Sequence, residues 1–312
     1  MKRSIAIKVL FLVCLITITC VVSFIYLPRW YYRNECLVIY NQRGLNEWQV
    51  YCQNDESSHK AQIIKREVKR IIVRGNPSNI PESAFANCPL LERVILPDSI
   101  KTISDSAFRD DTSLTQLTWP NKLQRIGSYS FWNTGLVSII FPEGLLEIDF
   151  FAFRNLRDLR EVWLPDSLKE MEYAFSLCPH LERVHLGKGL EYLGDYEFSQ
   201  CISLHQLYVP NNITELREGL LENSGIERLV FEGEINTVYK LHITREEYPF
   251  LKQLVFLDSA PLSPNSQLKG LILYKPDVIV YVTNTTLQKV DDIIVDWKIE
   301  AINSVDDLPP LV

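Results

Sequence analysis

The sequence lacks the short motifs that carry catalytic or metal chemistry in most enzymes. Its 312 residues include five histidines and seven cysteines. They contain no Cys-x-x-Cys pair, no Gly-x-Ser-x-Gly turn, no phosphate-binding glycine loop and no His-Glu-x-x-His helix. His185 and His205 occupy different positions of the repeat described below, so they do not form an obvious ligand pair. The sequence therefore argues against an enzyme and predicts neither a cofactor nor a metal site.

The chain is also short of basic charge. It carries 32 lysines and arginines against 39 acidic residues, which gives a formal net charge of -7. Three of the basic residues, Lys2, Arg3 and Lys8, lie at the very N-terminus. An acidic chain has little electrostatic attraction for nucleic acid or for an anionic bilayer surface. We therefore predict no nucleic-acid partner.

Residues 9–27 form an uncharged run of about the length that crosses a hydrocarbon core. The run is longer than the usual apolar region of a signal peptide, and its best cleavage candidate, residues 21–23, is followed by further apolar residues. We therefore predict that residues 1–28 form a signal anchor with an N-terminal transmembrane helix. Because positive charges precede the run, its N-terminus would be cytoplasmic and the rest of the chain extracytoplasmic. Cleavage as a signal peptide, followed by secretion, is the alternative.

An internal repeat dominates the rest of the chain. Residues 91–97 read Leu-Glu-Arg-Val-Ile-Leu-Pro, with apolar residues at the first, fourth and sixth positions. Related segments begin at Val68, Leu114, Leu136, Leu159, Leu181, Leu204 and Ile226. Neighbouring segments start 22 or 23 residues apart. This period is typical of a solenoid, in which each unit buries its apolar side only against its neighbours.

Each unit also carries a phenylalanine after the strand-like segment. The series is Phe85, Phe108, Phe131, Phe153, Phe175 and Phe198, and Leu221 closes it. Three cysteines, Cys88, Cys178 and Cys201, occupy one further column, where we interpret them as buried packing residues. A disulfide between Cys178 and Cys201, which lie in adjacent units, is the alternative. Stacked units would thus bury a continuous ladder of Phe, Leu, Ile and Val side chains.

The repeat resembles that of BspA-type leucine-rich repeat proteins. The resemblance is carried by residues 84–97, Ala-Phe-Ala-Asn-Cys-Pro-Leu-Leu-Glu-Arg-Val-Ile-Leu-Pro, and by their close copy at 174–184. The resemblance covers residues 64–233. Some units depart from the pattern: Glu197 replaces the alanine that precedes the phenylalanine, and Asp111 replaces the cysteine three residues after it. The resemblance implies an α/β solenoid with a parallel β-sheet on the concave side and short helical or irregular turns on the convex side. It also implies surface-exposed proteins, some with roles in adhesion or host-protein binding.

The region before the repeats is predicted as an N-terminal cap at residues 29–63, and the repeats proper as 64–233. Cys36 and Cys52 bracket two strand-like runs with a turn between them, so a hairpin would bring the two thiols together. A disulfide between them suits an oxidising compartment. Two ordinary apolar positions are the alternative.

The period fails after residue 233. The strand-like runs beyond that point are 251–256, 268–273 and 278–282. Residues 287–297 follow the spacing of a helix. We therefore predict degenerate repeats and a C-terminal cap at 234–312, with a separate small domain as the alternative.

Candidate binding residues lie at the third and fifth positions of each strand, which alternate with the core positions and so face the concave side. They are Arg93, Ile95, Trp163, Arg183, His185, Tyr208 and Arg228. Trp163, His185 and Tyr208 are consecutive in the fifth-position column, and Trp, Tyr and Arg commonly anchor protein interfaces. The alternative is that β-branched and aromatic residues simply suit strands.

The sequence as a whole predicts a membrane-anchored leucine-rich repeat protein. Its concave sheet would bind a protein or another surface macromolecule, and residues 9–27 would contact the membrane. A structural scaffold of the cell envelope without a dedicated ligand is the alternative function.

Overall fold

A computed structural model of the chain describes residues 29–53, 55–232, 237–238, 242–243, 246, 248–257, 272–273, 278–283, 298–302 and 304–311. Two predicted segments, the membrane run at 9–27 and the helical run at 287–297, lie outside these residues. Within the described part of the chain, no helix has the length and apolar character needed to cross a bilayer.

Twenty-three strands are described, and the repeat sets their spacing. In chain order they are β1 Trp30–Arg33, β2 Cys36–Tyr40, β3 Arg70–Arg74, β4 Asn79–Ile80, β5 Arg93–Ile95, β6 Thr102–Ile103, β7 Gln116–Thr118, β8 Arg125–Ile126, β9 Ser138–Ile140, β10 Glu147–Ile148, β11 Glu161–Trp163, β12 Glu170–Met171, β13 Arg183–His185, β14 Tyr192–Leu193, β15 Gln206–Val209, β16 Glu215–Leu216, β17 Arg228–Phe231, β18 Thr237–Val238, β19 His242–Ile243, β20 Gln253–Phe256, β21 Ile272–Leu273, β22 Ile279–Thr283 and β23 Lys298–Ile302.

The strands predicted from the repeat build the concave sheet. It runs in three hydrogen-bonded segments, β1-β2-β3-β5-β7, β9-β11-β13 and β15-β17-β20-β22-β23. Every pair in it is parallel except β1 with β2. The register pairs each position of one repeat with the same position of the next repeat, so that Trp163 pairs with Ile140 on one side and His185 on the other. The predicted parallel solenoid is therefore confirmed.

A second set of two-residue strands lies beyond the concave sheet. It forms the ladders β12-β10-β8-β6-β4 and β14-β16-β18. Ile103, Ile126 and Ile148 lie in register along the first of these ladders, and all three are buried. These short strands close the apolar interior opposite the concave sheet.

The predicted phenylalanine ladder forms the centre of the core. The rings of Phe85, Phe108, Phe131, Phe153 and Phe175 follow one another with centroids 5.2–5.4 Å apart, and all are fully buried. Offset stacking of this kind adds stabilisation beyond the burial of apolar area. One unit supplies only one ring, so the ladder exists only in the stack.

The phenylalanine-bearing turns are irregular rather than helical. Each contains two residues with left-handed φ. From the first unit to the last, the second of these residues is Asn87, Asp110, Asn133, Asn155, Leu177, Gln200 and Asn223. Asn and Asp tolerate this conformation better than other residues with a Cβ. Their side chains also link neighbouring turns: Asn133 Nδ2 donates to Asp110 Oδ1 at 2.8 Å, and Asn155 Nδ2 donates to Asn133 Oδ1 at 3.1 Å.

Two helices, α1 Gln42–Gln53 and α2 Asp55–Glu67, lie between β2 and β3 in the chain and cover the N-terminal end of the stack. Trp48 is buried, and its Nε1 donates to the carbonyl of Ala84 at 2.8 Å. Lys65 Nζ donates to the carbonyl of Ala86 at 3.0 Å. These bonds satisfy backbone groups that a further repeat would otherwise pair.

The hairpin predicted between Cys36 and Cys52 is wrong. Residues 48–51 belong to α1, because Leu45 and Trp48 are spaced to face the core from one side of a helix. Cys36 therefore lies on β2 and Cys52 on α1, and both are unpaired thiols, so the expected disulfide is not formed in the structure.

The main sheet continues past residue 233. The predicted runs at 251–256 and 278–282 contain β20 and β22, which add to the sheet after β17. The run at 268–273 contains β21, which pairs with β19 in a separate two-stranded sheet. β23 then completes the concave sheet beside β22.

Candidate functional site

The fifth-position column of the concave sheet is exposed in its middle part. Ile140 is 67% exposed, Trp163 45% and Tyr208 42%. A single exposed apolar side chain is ordinary on a folded protein. A contiguous row of them on one face is typical of an interaction surface.

A hollow of about 800 Å³ lies over β11, β13 and β15. We call it the aromatic groove. Its lining includes Trp163, Arg183, His185 and Tyr208, and its charged rim includes Glu143, Asp166, Glu182, Lys188 and Glu232. The structure therefore brings together four of the seven residues predicted from the sequence.

The floor of the groove is held by contacts around Glu161. The rings of Trp163 and His185 stack with centroids 3.4 Å apart and planes 11° from parallel. Glu161 Oε1 lies 2.9 Å from Arg183 Nε and 3.0 Å from His185 Nε2. These bonds from Arg183 and His185 lower the pKa of Glu161. An ionised carboxylate only accepts hydrogen bonds, so His185 donates from Nε2.

The acidic rim comes from turns and from residues that flank strands, since Glu182 precedes β13 and Glu232 follows β17. Glu182 Oε1 accepts a bond from Arg160 Nη1 at 2.8 Å, and Asp166 Oδ1 accepts one from the backbone N–H of Lys188 at 3.0 Å. Sequence reasoning missed these carboxylates. The sequence did contain a signal for two of them, because Glu143 and Asp166 each follow the proline that closes a repeat segment.

Two predicted residues lie elsewhere on the concave face. Arg93 lines a separate hollow of about 300 Å³ together with Gln116 and Thr118. Ile95 is half-buried on the same strand, β5. Three strands of the repeat separate β5 from β13, so these residues do not contribute to the aromatic groove.

The prediction that Arg228 is exposed is wrong. Arg228 is only 8% exposed, because residues 304–311 cross this end of the concave face. Its Nη2 donates to the carbonyl of Pro309, and its Nε lies 2.5 Å from Gln253 Oε1. Val230, the fifth-position residue beside it, is fully buried. We call residues 304–311, which include a 3-10 turn at Val305–Asp307, the C-terminal tail.

A second row of aromatic side chains lies on the turns, away from the groove. Tyr129, Phe151, Tyr173 and Tyr196 have left-handed φ, and their neighbouring rings contact one another with centroids 5.1–5.4 Å apart. Arg109 lies over the ring of Tyr129, and Arg154 over that of Phe151. The ring faces are thus largely occupied by neighbours within the chain. We interpret this row as a packing feature that offsets the cost of left-handed φ in bulky residues.

Glu197 is a buried acid in the turns rather than part of the site. Its Oε2 accepts a bond from the N–H of Ala174 at 3.1 Å, while Oε1 has no hydrogen-bond partner within the described chain. Burial raises the pKa of Glu197 well above its usual value, and Glu172 and Asp195 act in the same direction. The folded protein therefore keeps a proton that the unfolded chain releases.

Glu197→Gln is expected to remove a pH-dependent loss of stability. Because the pKa of Glu197 is raised in the folded state, its contribution to the free energy of unfolding is fully present below the unfolded pKa of about 4.3. That contribution is lost as pH rises through the folded pKa. The variant should therefore raise the free energy of unfolding at pH 8 and change it little at pH 4. Urea unfolding at both pH values checks this, with exposed Glu170→Gln as the control. An unchanged pH slope would contradict the prediction.

Within the described residues, no group of three or more His, Cys, Asp or Glu side chains is arranged to hold a metal ion.

Asp111 is a second fully buried acid, and burial raises its pKa well above the usual value. Its Oδ1 accepts a bond from the N–H of Cys88 at 2.7 Å. Asp111 thus replaces a cysteine of the repeat and links two turns.

Units of 22 or 23 residues, one concave strand per unit and a buried phenylalanine in each turn together define a leucine-rich repeat solenoid. The chain belongs to the BspA-type leucine-rich repeat family. The model of that family, described as BspA type Leucine rich repeat region, matches the chain in six copies over residues 65–149 and 124–243. The resemblance seen in the sequence is therefore confirmed.

Several solved bacterial structures are similar to the chain. A leucine-rich repeat protein from Bacteroides ovatus is 18% identical with a TM-score of 0.47, over 76% of this chain and 84% of its own. The T. pallidum leucine-rich repeat protein is 20% identical with a TM-score of 0.41, over 68% and 82%. The pneumococcal vaccine antigen PcpA is 16% identical with a TM-score of 0.44, over 76% and 78%. No curated protein matches the chain.

Proposed function

We propose that the chain is an extracytoplasmic binding module whose aromatic groove holds a protein partner. The observation that carries this proposal is the row of exposed aromatic side chains in a hollow of the concave sheet. A Trp or Tyr side chain buries on the order of 150–250 Å² when it is fully enclosed, and a little under half of Trp163 and Tyr208 remains exposed for a partner to cover. Trp and Tyr are among the residue types that most often dominate the energy of an interface.

The groove is preorganised, which supports binding rather than incidental exposure. Trp163 is fixed by its stack on His185, and His185 is held by Glu161. Arg183 is bonded to the same carboxylate. Side chains that are already ordered lose less conformational entropy when a partner arrives.

A scaffold role without a dedicated ligand is the second candidate, and family membership is consistent with either. It is favoured by the simple β-forming residues at other fifth positions, such as Ile72, Ile95 and Thr118. Catalysis is not part of the proposal, because the family and the fold are those of leucine-rich repeat proteins.

Trp163→Ala combined with Tyr208→Ala is expected to abolish partner capture. The full chain in mild detergent would be immobilised and exposed to a solubilised surface-protein fraction. We expect the retained partner to fall by about tenfold or more, because two interface anchors are removed. Tyr129→Ala combined with Phe150→Ala is the matched control, since it removes two exposed aromatic rings from the turns. Equal retention by a folded groove variant would favour the scaffold role.

We also propose that residues 9–27 anchor the chain in a membrane, with the cap at 29–63, the repeats at 64–233 and the degenerate repeats at 234–312 outside the cytoplasm. The length of the uncharged run and the preceding Lys2, Arg3 and Lys8 support this proposal. Cell fractionation with mass measurement of the mature N-terminus tests it. We expect an intact N-terminus in the membrane fraction. A soluble chain beginning near Phe24 would instead establish cleavage and secretion.

A further inference from the structure

The concave face already holds one polypeptide segment, the chain's own C-terminal tail. Leu308 packs on a cluster formed by Val230, Val255, Tyr281 and Ile302. All four are buried, although they lie on the side of the sheet opposite the main core. The concave sheet of this chain can therefore bury a polypeptide segment against its outward column.

The tail and the aromatic groove use the same columns of the sheet. Tyr208 on β15 pairs with Val230 on β17, which pairs in turn with Val255 on β20. Tyr208 is 42% exposed and Val230 is fully buried, so the boundary of the tail falls between these two strands. The groove is thus the uncovered continuation of a surface that is occupied next to it.

The polar contact under the tail also has a counterpart in the groove. Arg228, at the third position of its strand, donates to the main-chain carbonyl of Pro309. Arg183 is the third-position residue of β13 and lines the groove. It can make the same contact with a carbonyl of a bound segment, because a guanidinium offers five donors.

The charge of the groove restricts what the segment can carry. Its rim includes four carboxylates, those of Glu143, Asp166, Glu182 and Glu232, against the cations of Arg183, Lys188 and Arg160, the last of which pairs with Glu182. The whole chain has a formal net charge of -7. An excess of carboxylates around an apolar floor favours a segment with a lysine or arginine close to an apolar anchor.

We propose that the aromatic groove binds a short linear segment of a protein partner in which a large apolar side chain lies next to a lysine or arginine. The apolar side chain packs between Trp163 and Tyr208. A main-chain carbonyl accepts from Arg183, and the basic side chain meets the carboxylates of the rim. This inference rests on the proposed function, because it names the kind of partner that the same groove takes.

A phage-displayed library of random linear peptides, selected on the full chain, tests the proposal. We expect enriched sequences to pair an aromatic or large aliphatic residue with a nearby lysine or arginine. A synthetic peptide of that kind should bind Trp163→Ala/Tyr208→Ala about tenfold more weakly. Its binding should weaken severalfold with Glu143→Gln/Glu182→Gln and with added salt, because screening acts on exposed charges. The control pair Tyr129→Ala/Phe150→Ala should leave binding unchanged.

The outcomes separate this inference from the proposed function. No enriched peptide, or peptides that bind the Trp163→Ala/Tyr208→Ala variant equally well, would overturn the inference. A surface partner that needs Trp163 and Tyr208 but is not displaced by the selected peptide would also overturn it. That last result would leave the proposed function standing, with a folded surface of a protein partner as the occupant. A partner that binds the wild-type chain and the Trp163→Ala/Tyr208→Ala variant equally well would instead overturn the proposed function.

Discussion

Phe153→Ala is expected to lower the free energy of unfolding by about 3–5 kcal/mol, the range observed for Phe truncation in protein cores. Phe153 lies at the middle of the ladder, with its ring centroid 5.2 Å from those of both Phe131 and Phe175. Phe141 and Trp119 pack on it from the side, at 5.3 and 6.2 Å. Its removal therefore leaves a cavity that neighbouring rings fill poorly. Urea unfolding of the full chain, followed by circular dichroism, measures the loss.

The neighbouring residue Phe150 supplies a matched control. It lies in the same turn but is 47% exposed. Phe150→Ala should change the free energy of unfolding by no more than about 0.5 kcal/mol. Because stacked units stabilise one another only through nearest-neighbour contacts, Phe153→Ala should also broaden the transition by uncoupling the two halves of the stack. A sharp transition with a loss below about 1 kcal/mol would show that Phe153 does not couple them.

Gly225→Ala is expected to cost about 3 kcal/mol, at the upper end of typical overpacking. A Cβ at this position would lie 2.0 Å from the carbonyl oxygen of Ile202 in the preceding unit. The close approach follows from a short connection between the turn and the next strand segment: Leu221 and Ile226 are five residues apart, one fewer than the six between Phe198 and Leu204. The shorter connection passes directly over the backbone below it, and backbone cannot move aside as a side chain can. Thermal or urea unfolding at neutral pH measures the effect.

Ser203 provides the comparison for Gly225. It holds the corresponding place, one residue before the strand segment, in a 23-residue unit. Its connection already accommodates a Cβ, so Ser203→Ala should change the free energy of unfolding by no more than about 0.5 kcal/mol. Similar values for the two variants would show that the extra residue in the longer units does not relieve the crowding.

Much of the fold could be predicted because the information is local and repeated. The apolar positions of residues 91–97 and the phenylalanine series each recur in several units, so an error in one unit would not shift the others. The N-terminal cap has no such repetition. Its run at 48–51 fits a strand or a helix equally well, and only the placement of Trp48 against the first repeat selects the helix.

The candidate site could be predicted in part, from strand position alone. Trp163 and His185 lie together because parallel strands in register bring equal positions of successive units side by side, and Tyr208 of the next unit lines the same hollow. Arg228 occupies the third position of its strand, as Arg183 does, yet its environment depends on Pro309, which lies 81 residues further along the chain. No periodic pattern encodes a contact of that kind. The acidic rim was missed for a related reason, since its residues come from turns and strand-flanking positions of several units.

The two ends of the stack differ from its middle, and this difference has an evolutionary consequence. At one end the sheet finishes with the antiparallel pair of β1 and β2 and with two helices, and at the other with β23 and the C-terminal tail. Duplication or deletion of a whole unit between these ends would preserve both, and each added unit would lengthen the concave face by about 4.8 Å. The aromatic groove spans only β11, β13 and β15. A lineage can therefore change the reach of this protein by recombining units on the N-terminal side of the groove while inheriting the groove itself intact.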